Sequence, residues 1–189
     1  GGSLESFSGR DGFGLVLQVL SEDLPQGVNL LQELISESTF PEEELAIQRQ
    51  LIAKQLQAQE DEIFDMGGRL MRQTLFPSHP YRFNPLGSRA SLEQLTRAQC
   101  VEFARQRLVG SNLVTAIIGR VDPASVKRHL EQVFGALPKG ESSWPELLTE
   151  PPLSGVRESL LTMDREQSLI MLGFRGSTYR AHERYTLDL

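Results

Sequence analysis

Phe40-Pro41-Glu42-Glu43-Glu44-Leu45-Ala46-Ile47-Gln48-Arg49-Gln50-Leu51-Ile52 opens the stretch whose reading decides the fold. From Pro41 the chain reaches Phe76 without another proline, and three acids stand where the positive end of a helix dipole favours them. Leu45, Ile52, Leu56, Ile63, Met66 and Leu70 then follow at gaps of 7, 4, 7, 3 and 4, a sustained apolar stripe on one helical face. The spacing predicts one long helix of about 50 Å lying across the domain, with Gly67-Gly68 as the place where its last third would bend.

Upstream, Phe13 to Leu20 is short, apolar and rich in β-formers, and it predicts a mostly buried strand ending at Ser21-Glu22-Asp23. A helix follows, with Pro25 in its first turn and Leu24, Val28, Leu31 and Ile35 on one face, before a break at Thr39-Phe40-Pro41. Downstream, Pro77, Pro80, Pro85 and Gly87 mark an irregular loop over 77–90. Two capping-box patterns, Ser91 with Gln94 and Thr96 with Gln99, predict a short helix and a longer one to about Leu108, with Cys100, Phe103, Ala104 and Leu108 on its apolar face. Asn112 to Gly119 predicts a second buried strand. Asp122-Pro123 then forms an N-cap and first-turn proline for a helix bearing Val126, Leu130, Val133, Phe134 and Leu137.

Residues 138–155 change character: Pro138, Gly140, Pro145, Pro151, Pro152 and Gly155 are spread among Ser and Glu, as in a linker. The expected organisation is therefore a first unit over 1–137, a linker over 138–155 and the opening of a second unit over 156–189. In that opening, Val156–Met163 and Gln167–Phe174 predict two strands joined at Asp164-Arg165-Glu166, and Ala181–Leu189 starts a helix. The two strands are expected to fold back on the first unit or to pair between molecules, because either arrangement protects an open edge.

Composition narrows the function classes. The 189 residues are 39% hydrophobic and 23% charged, a balance that supports a buried core. With 19 Lys plus Arg against 25 Asp plus Glu, the net charge of -6 repels a phosphate backbone, which argues against a nucleic-acid partner. No apolar run approaches the roughly 20 residues of a membrane span. The lone Cys100 makes no internal disulfide and no zinc finger, and on an apolar helical face with no histidine beside it, it reads as a buried structural thiol.

Residues able to carry chemistry are scattered. His79, His129 and His182 are far apart and form no H-E-x-x-H or H-x-x-E-H pair, so they build no zinc clamp. His79 suits a role in fixing its loop, His129 a solvated position beside Lys127 and Arg128, and His182 gives no usable signal. Gly9-Arg10-Asp11-Gly12-Phe13-Gly14 precedes a strand instead of joining strand to helix, which excludes a phosphate cradle. Glu60, Asp61, Glu62 and Asp65 lack the glycine-turned, oxygen-rich loop of a cation site and read as a solvated face. No G-x-S-x-G elbow presents a serine nucleophile.

Taken in order, several fragments resemble the pitrilysin and insulinase family of zinc peptidases, the inverzincins, which include the mitochondrial processing peptidases. They are Gly1-Gly2 leading into a strand with Ser8-Gly9-Arg10-Asp11, then Ser21-Glu22-Asp23-Leu24, Phe40-Pro41-Glu42-Glu43 and His79-Pro80-Tyr81. Gly87, Ser91-Leu92, Leu95-Thr96 and Gly119-Arg120-Val121-Asp122-Pro123 continue the set. Beyond the linker, Glu166-Gln167-Ser168 to Gly173-Phe174 and Arg184-Tyr185 resemble the start of the next homologous domain.

This resemblance implies an α+β fold, helices packed on one face of a mixed or antiparallel sheet, in a partial processing-peptidase-like αβ sandwich. It implies that the family's H-x-x-E-H would stand upstream of Gly1. It further implies that the supporting glutamate and, seven residues later, the remaining glutamate ligand fall on the long helix at Gln48 and Gln55 respectively, both neutral amides. A two-residue shift moves the pair to Gln50 and Gln57, and residues 45–59 hold no acid. An amide matches glutamate in shape but brings no negative charge to Zn²⁺.

The implied function is a non-catalytic segment of a larger zinc metalloendopeptidase, part of the wall of a peptide chamber. No catalytic residue and no metal ligand belong to the chain itself; zinc belongs to the parent if another domain is active. Its partners would be the remaining domains of the parent and a peptide or unfolded polypeptide substrate, in the cytoplasm or periplasm. The alternative is a structural or assembly subunit without peptidase activity, like the core proteins of respiratory complexes. An autonomous peptide-binding module using an open sheet edge ranks last.

Overall fold

A computed structural model describes residues 1–141, 147, 149–178, 180–182 and 186. The chain divides into two compact units, Gly1–Gln50 with Ala90–Pro145, and Leu51–Arg89 with Glu146–Leu189.

The first unit is built on a hairpin. Strands β1 (Ser3–Ser8) and β2 (Phe13–Gln18) pair antiparallel, with Ser3 opposite Gln18 and Ser8 opposite Phe13. The glycine-dense run between them is the turn, closed by the Gly9 N–H donating to the Gly12 carbonyl at 2.8 Å. Helix α1 (Leu24–Ser36) carries Pro25 in its first turn and lies on β2. The approach is close at Gly27, where a Cβ would come within 2.5 Å of Leu17 Cδ2, and Val28 beside it is 3% exposed. A helix therefore covers one face of an antiparallel sheet, as an α+β fold requires.

Helix α5 (Arg97–Arg107) starts in the expected capping box of Thr96 and Gln99, and its Phe103 ring sits 5.6 Å from that of Phe13. Helix α6 (Pro123–Phe134) is capped by Asp122, whose carboxylate accepts the Ser125 N–H at 2.8 Å, and it packs on α1. Val28, Leu92, Val109 and Leu137 are the buried apolar residues described in this unit. Val109 is sealed by Gly140, whose φ of 57° and lack of Cβ let the backbone cross directly over the valine side chain.

In the second unit, the helix α2 (Glu42–Asp61), which starts in the first, ends at Asp61, and α3 (Ile63–Leu75) begins two residues later. The single long helix is thus two. The interruption falls at Glu62, with φ −95° and ψ 119°, and its carboxylate accepts the Phe64 N–H at 3.3 Å as the cap of α3. Gly67 and Gly68 lie inside α3 and do not bend the chain there; Gly67 instead admits Leu169, whose Cδ2 would be 2.6 Å from a Cβ. Among the described residues of this unit, Leu56 is the buried apolar one.

Other expectations are corrected by pairing and exposure. The strand expected over 13–20 ends at Gln18, and Phe13, Leu15 and Val16 are 40%, 38% and 48% exposed, so it is not mostly buried. Residues 112–119 form no strand: Gly110–Asn112 is a 3₁₀ turn, and Val114 and Ile118 are 92% and 99% exposed. The β-forming sequence there meets no second strand among the described residues, and without a ladder it gains neither hydrogen bonds nor burial. Residues 156–163 and 167–174 likewise carry no ladder; 167–174 packs on α3, with Leu169 and Met171 at Gly67 and Gly173 against Met71 and Leu75, while 156–163 meets it through hydrogen bonds of Arg157 and Ser159 to Thr74. The first capping box is not used, because the short helix α4 (Arg89–Gln94) starts before Ser91. The helix expected over 181–189 falls mostly outside the described residues. Among the described residues no helix is long and apolar enough to cross a membrane.

Candidate functional site

Gln48 and Gln55 both lie on α2, seven positions apart, which at 3.6 residues per turn places them on one face and roughly 10 Å from each other along the axis. Both are exposed. Gln48 borders an open recess of about 500 Å³ in the first unit, with an apolar floor from Leu34, Phe40 and Leu45 and a rim bearing Glu33, Glu37 and Glu44. Among the described residues that line it, the charged ones are all acidic.

The recess owes its shape to a constrained turn between α1 and α2. Phe40 has φ 48°, a left-handed backbone that a bulky residue rarely adopts. The guanidinium of Arg97, at the start of α5, holds it there: Nε and Nη2 donate to the Thr39 carbonyl at 3.2 and 2.8 Å, and Nε donates to the Phe40 carbonyl at 3.0 Å. The sequence marks the break at Thr39-Phe40-Pro41 but not its left-handed backbone, since Phe40 carries none of the glycine or asparagine signal that usually accompanies it.

The donors present do not fit a zinc centre. Zn²⁺ is held by thiolate, imidazole and carboxylate groups, and the amides of Gln48 and Gln55 supply none of these. Among the described residues, no group of three or more His, Cys, Asp or Glu side chains is placed to hold a metal ion.

The histidines stay apart. His79 fixes its loop: Nδ1 accepts the Tyr81 N–H at 3.2 Å, and its ring sits edge-on to Tyr81 at 4.5 Å and 5.9 Å from Phe76. His129 is not simply solvated, because Nε2 lies 3.4 Å from the Pro25 carbonyl where α6 meets α1. His182 is exposed.

The acids at the end of α2 are exposed yet engaged. Glu60 pairs with Arg89 at 2.9 Å, and that hydrogen bond holds its carboxyl below the usual range. Asp61 lies 3.8 Å from Arg165, and Glu62 caps α3. They tie the end of α2 to Arg89 and Arg165 and cap α3, and among the described residues they belong to no group placed to hold a metal ion. Cys100 is half-buried on α5.

The comparisons with known proteins bear on the family. Residues 1–91 match the model of the insulinase family, peptidase family M16, and residues 94–189 match that of the peptidase M16 inactive domain. A Rickettsia felis protein named as an uncharacterized zinc protease is 27% identical over 184 residues, covering 97% of this chain and 44% of the relative. The mitochondrial-processing peptidase subunit beta of Blastocladiella emersonii is 21% identical, covering 99% of this chain and 40% of that protein. Among solved structures, the peptidase M16 inactive domain from Pseudomonas fluorescens aligns with a TM-score of 0.72 at 21% identity, over 79% of this chain and 37% of that one. The chain thus spans less than half the length of these relatives. By both family matches, which between them cover nearly every residue, the chain belongs to the M16, or insulinase, family of zinc peptidases and carries that family's inactive-domain sequence.

Proposed function

We propose that this chain is a non-catalytic segment of a larger M16 peptidase, contributing wall surface to the chamber that holds a peptide or unfolded polypeptide. In this reading, residues 1–137 are the second half of a degenerate peptidase-like domain, 138–155 a linker, and 156–189 the opening of the next homologous domain. Gln48 and Gln55 stand where an active domain would carry its helix glutamates.

The observation that carries the proposal is the neutral pair. Substituting two amides for two carboxylates removes the charge that would offset a divalent ion and leaves the helix otherwise undisturbed, because Gln and Glu have similar helix propensity. The match of residues 94–189 to the inactive-domain model supports a non-catalytic role for that part of the chain, while the two glutamines lie within the 1–91 match to the insulinase family model. Zinc and hydrolysis would then belong to another domain of the parent.

Elemental analysis of the purified chain after dialysis tests this directly. The expected outcome is no stoichiometric zinc and no chelator-sensitive cleavage of unfolded polypeptide; tight zinc with such cleavage overturns the assignment. The non-peptidase scaffold is separated by the rest of the gene. An H-x-x-E-H motif followed by two glutamates elsewhere in the polypeptide makes the parent an enzyme, and its absence throughout makes it a scaffold or a partner-dependent subunit.

A further inference from the structure

The last carbonyls of a helix have no partner within it, and they carry the negative end of its dipole. At the end of α3 these groups are met by side chains from a distant part of the chain. Arg157 Nη1 donates to the Thr74 carbonyl at 3.2 Å, and Arg175 Nη2 donates to the Leu75 carbonyl at 3.2 Å. Thr74 Oγ1 lies 2.9 Å from Ser159 Oγ.

Just beyond the helix, Glu150 accepts the N–H of Ser78 at 2.6 Å and the N–H of His79. The Glu150 side chain is 8% exposed, and its other oxygen is 3.6 Å from Arg175 Nη2, an ion pair too long to be a hydrogen bond. Arg175 Nη1 returns to the Pro151 carbonyl, which closes the knot.

We infer that Glu150 and Arg175, with Arg157, form a latch that docks the extended run 150–175 onto the C-terminal end of α3, so that helix end and run are released together. No strand ladder holds the run among the described residues, and its inward side chains are few. The latch therefore decides whether the run stays docked. When docked, the run turns Leu169, Met171 and Gly173 toward α3 and leaves Ile170, Leu172 and Phe174 in an outer row, 86%, 80% and 86% exposed. Undocking would disperse that row.

The test is hydrogen exchange and limited proteolysis of the full chain carrying Glu150→Ala, Glu150→Gln, Arg175→Met, or Glu150→Arg with Arg175→Glu. Cleavage within 156–174 and exchange in the last turn of α3 follow the population of the open form. Both should rise by roughly tenfold in Glu150→Ala, where a buried acceptor of two N–H groups is lost, and by less in Glu150→Gln, which keeps one carbonyl. Arg175→Met should open the same two regions.

The charge-reversed pair should fail to restore docking, because Arg at 150 offers no acceptor to Ser78 and His79. A simple ion pair would be rescued by that reversal. Protection in α1 and α5 reports folding and should be unchanged throughout. Unaltered exchange of 156–174 in Glu150→Ala, rescue by charge reversal, or equal loss of protection across both units would each overturn the latch.

Discussion

Residues 3–18 and residues 156–174 both carry apolar, β-forming runs, yet the first closes six cross-strand pairs while the second closes none among the described residues. The hairpin has its own turn, sealed by Gly9 and Gly12, so each strand finds its partner within a few residues. Asp164-Arg165-Glu166 turns on an Arg165 N–H bond to the Met163 carbonyl, and the Arg165 guanidinium reaches the Asp61 carbonyl at 3.3 Å at the end of α2 instead of a partner strand, while Leu169, Met171 and Gly173 lie on α3. In the second segment, residues 169–174 alternate toward and away from α3, so the nature of the partner, strand or helix, decides whether a β-forming run becomes a sheet. The difference can be widened or erased experimentally.

Acid should widen it most. Burial raises the Glu150 carboxyl, but the His79 and Ser78 N–H groups, with the Arg175 and Arg157 guanidiniums, outweigh that and leave it below the ordinary carboxylate value. A carboxyl whose folded value is depressed stabilises above its unfolded value and loses that contribution as pH falls through the folded one. Docking of 156–174 should thus be complete at neutral pH and fail below the ordinary carboxylate range. Exchange measured at successive pH values should show the run opening before the hairpin; simultaneous opening would erase the contrast.

The converse change is Gly27→Val. Its side chain would enter space held by Leu17 and Val19, and overpacking of this kind costs about 1–3 kcal/mol. Urea unfolding should record that loss, with exchange rising over 3–18 and unchanged over 156–174.

A smaller pair of substitutions checks the alternation itself. Leu169→Ala removes a half-buried side chain that meets α3 at Gly67 and should cost about 1–2 kcal/mol, below the range for a fully buried leucine. Ile170→Ala, its 86% exposed neighbour, should change stability by no more than about 0.5 kcal/mol. Equal costs at the two positions would mean that the run does not lie on α3 by one face.

The sequence made the helices legible where a local signal sets them. Thr96 with Gln99, Asp122 with Pro123 and Pro25 each mark a terminus through bonds or ring constraints within a few residues, and each helix starts there. The α2–α3 break was hidden because Glu62 has good helix propensity, and the apolar stripe continues past it from Leu56 to Ile63. Strand expectations failed at 112–119 for a different reason: composition reports the wish for a partner, and the partner is a long-range fact.

The candidate site shows the same division. Residue types at 48 and 55 are readable, and an amide is neutral wherever it sits. The recess beside Gln48 was not readable, because it depends on Arg97 reaching back 57 and 58 positions to Phe40 and Thr39. His129 was misjudged similarly, its contact with Pro25 being 104 positions away.

The turn at Phe40 has an evolutionary corollary. Because one guanidinium braces a backbone twist that would otherwise call for glycine, positions 40 and 97 should change together across homologues: where the arginine is lost, glycine or asparagine should replace the phenylalanine. An alignment in which the two columns vary independently would show that the brace is dispensable.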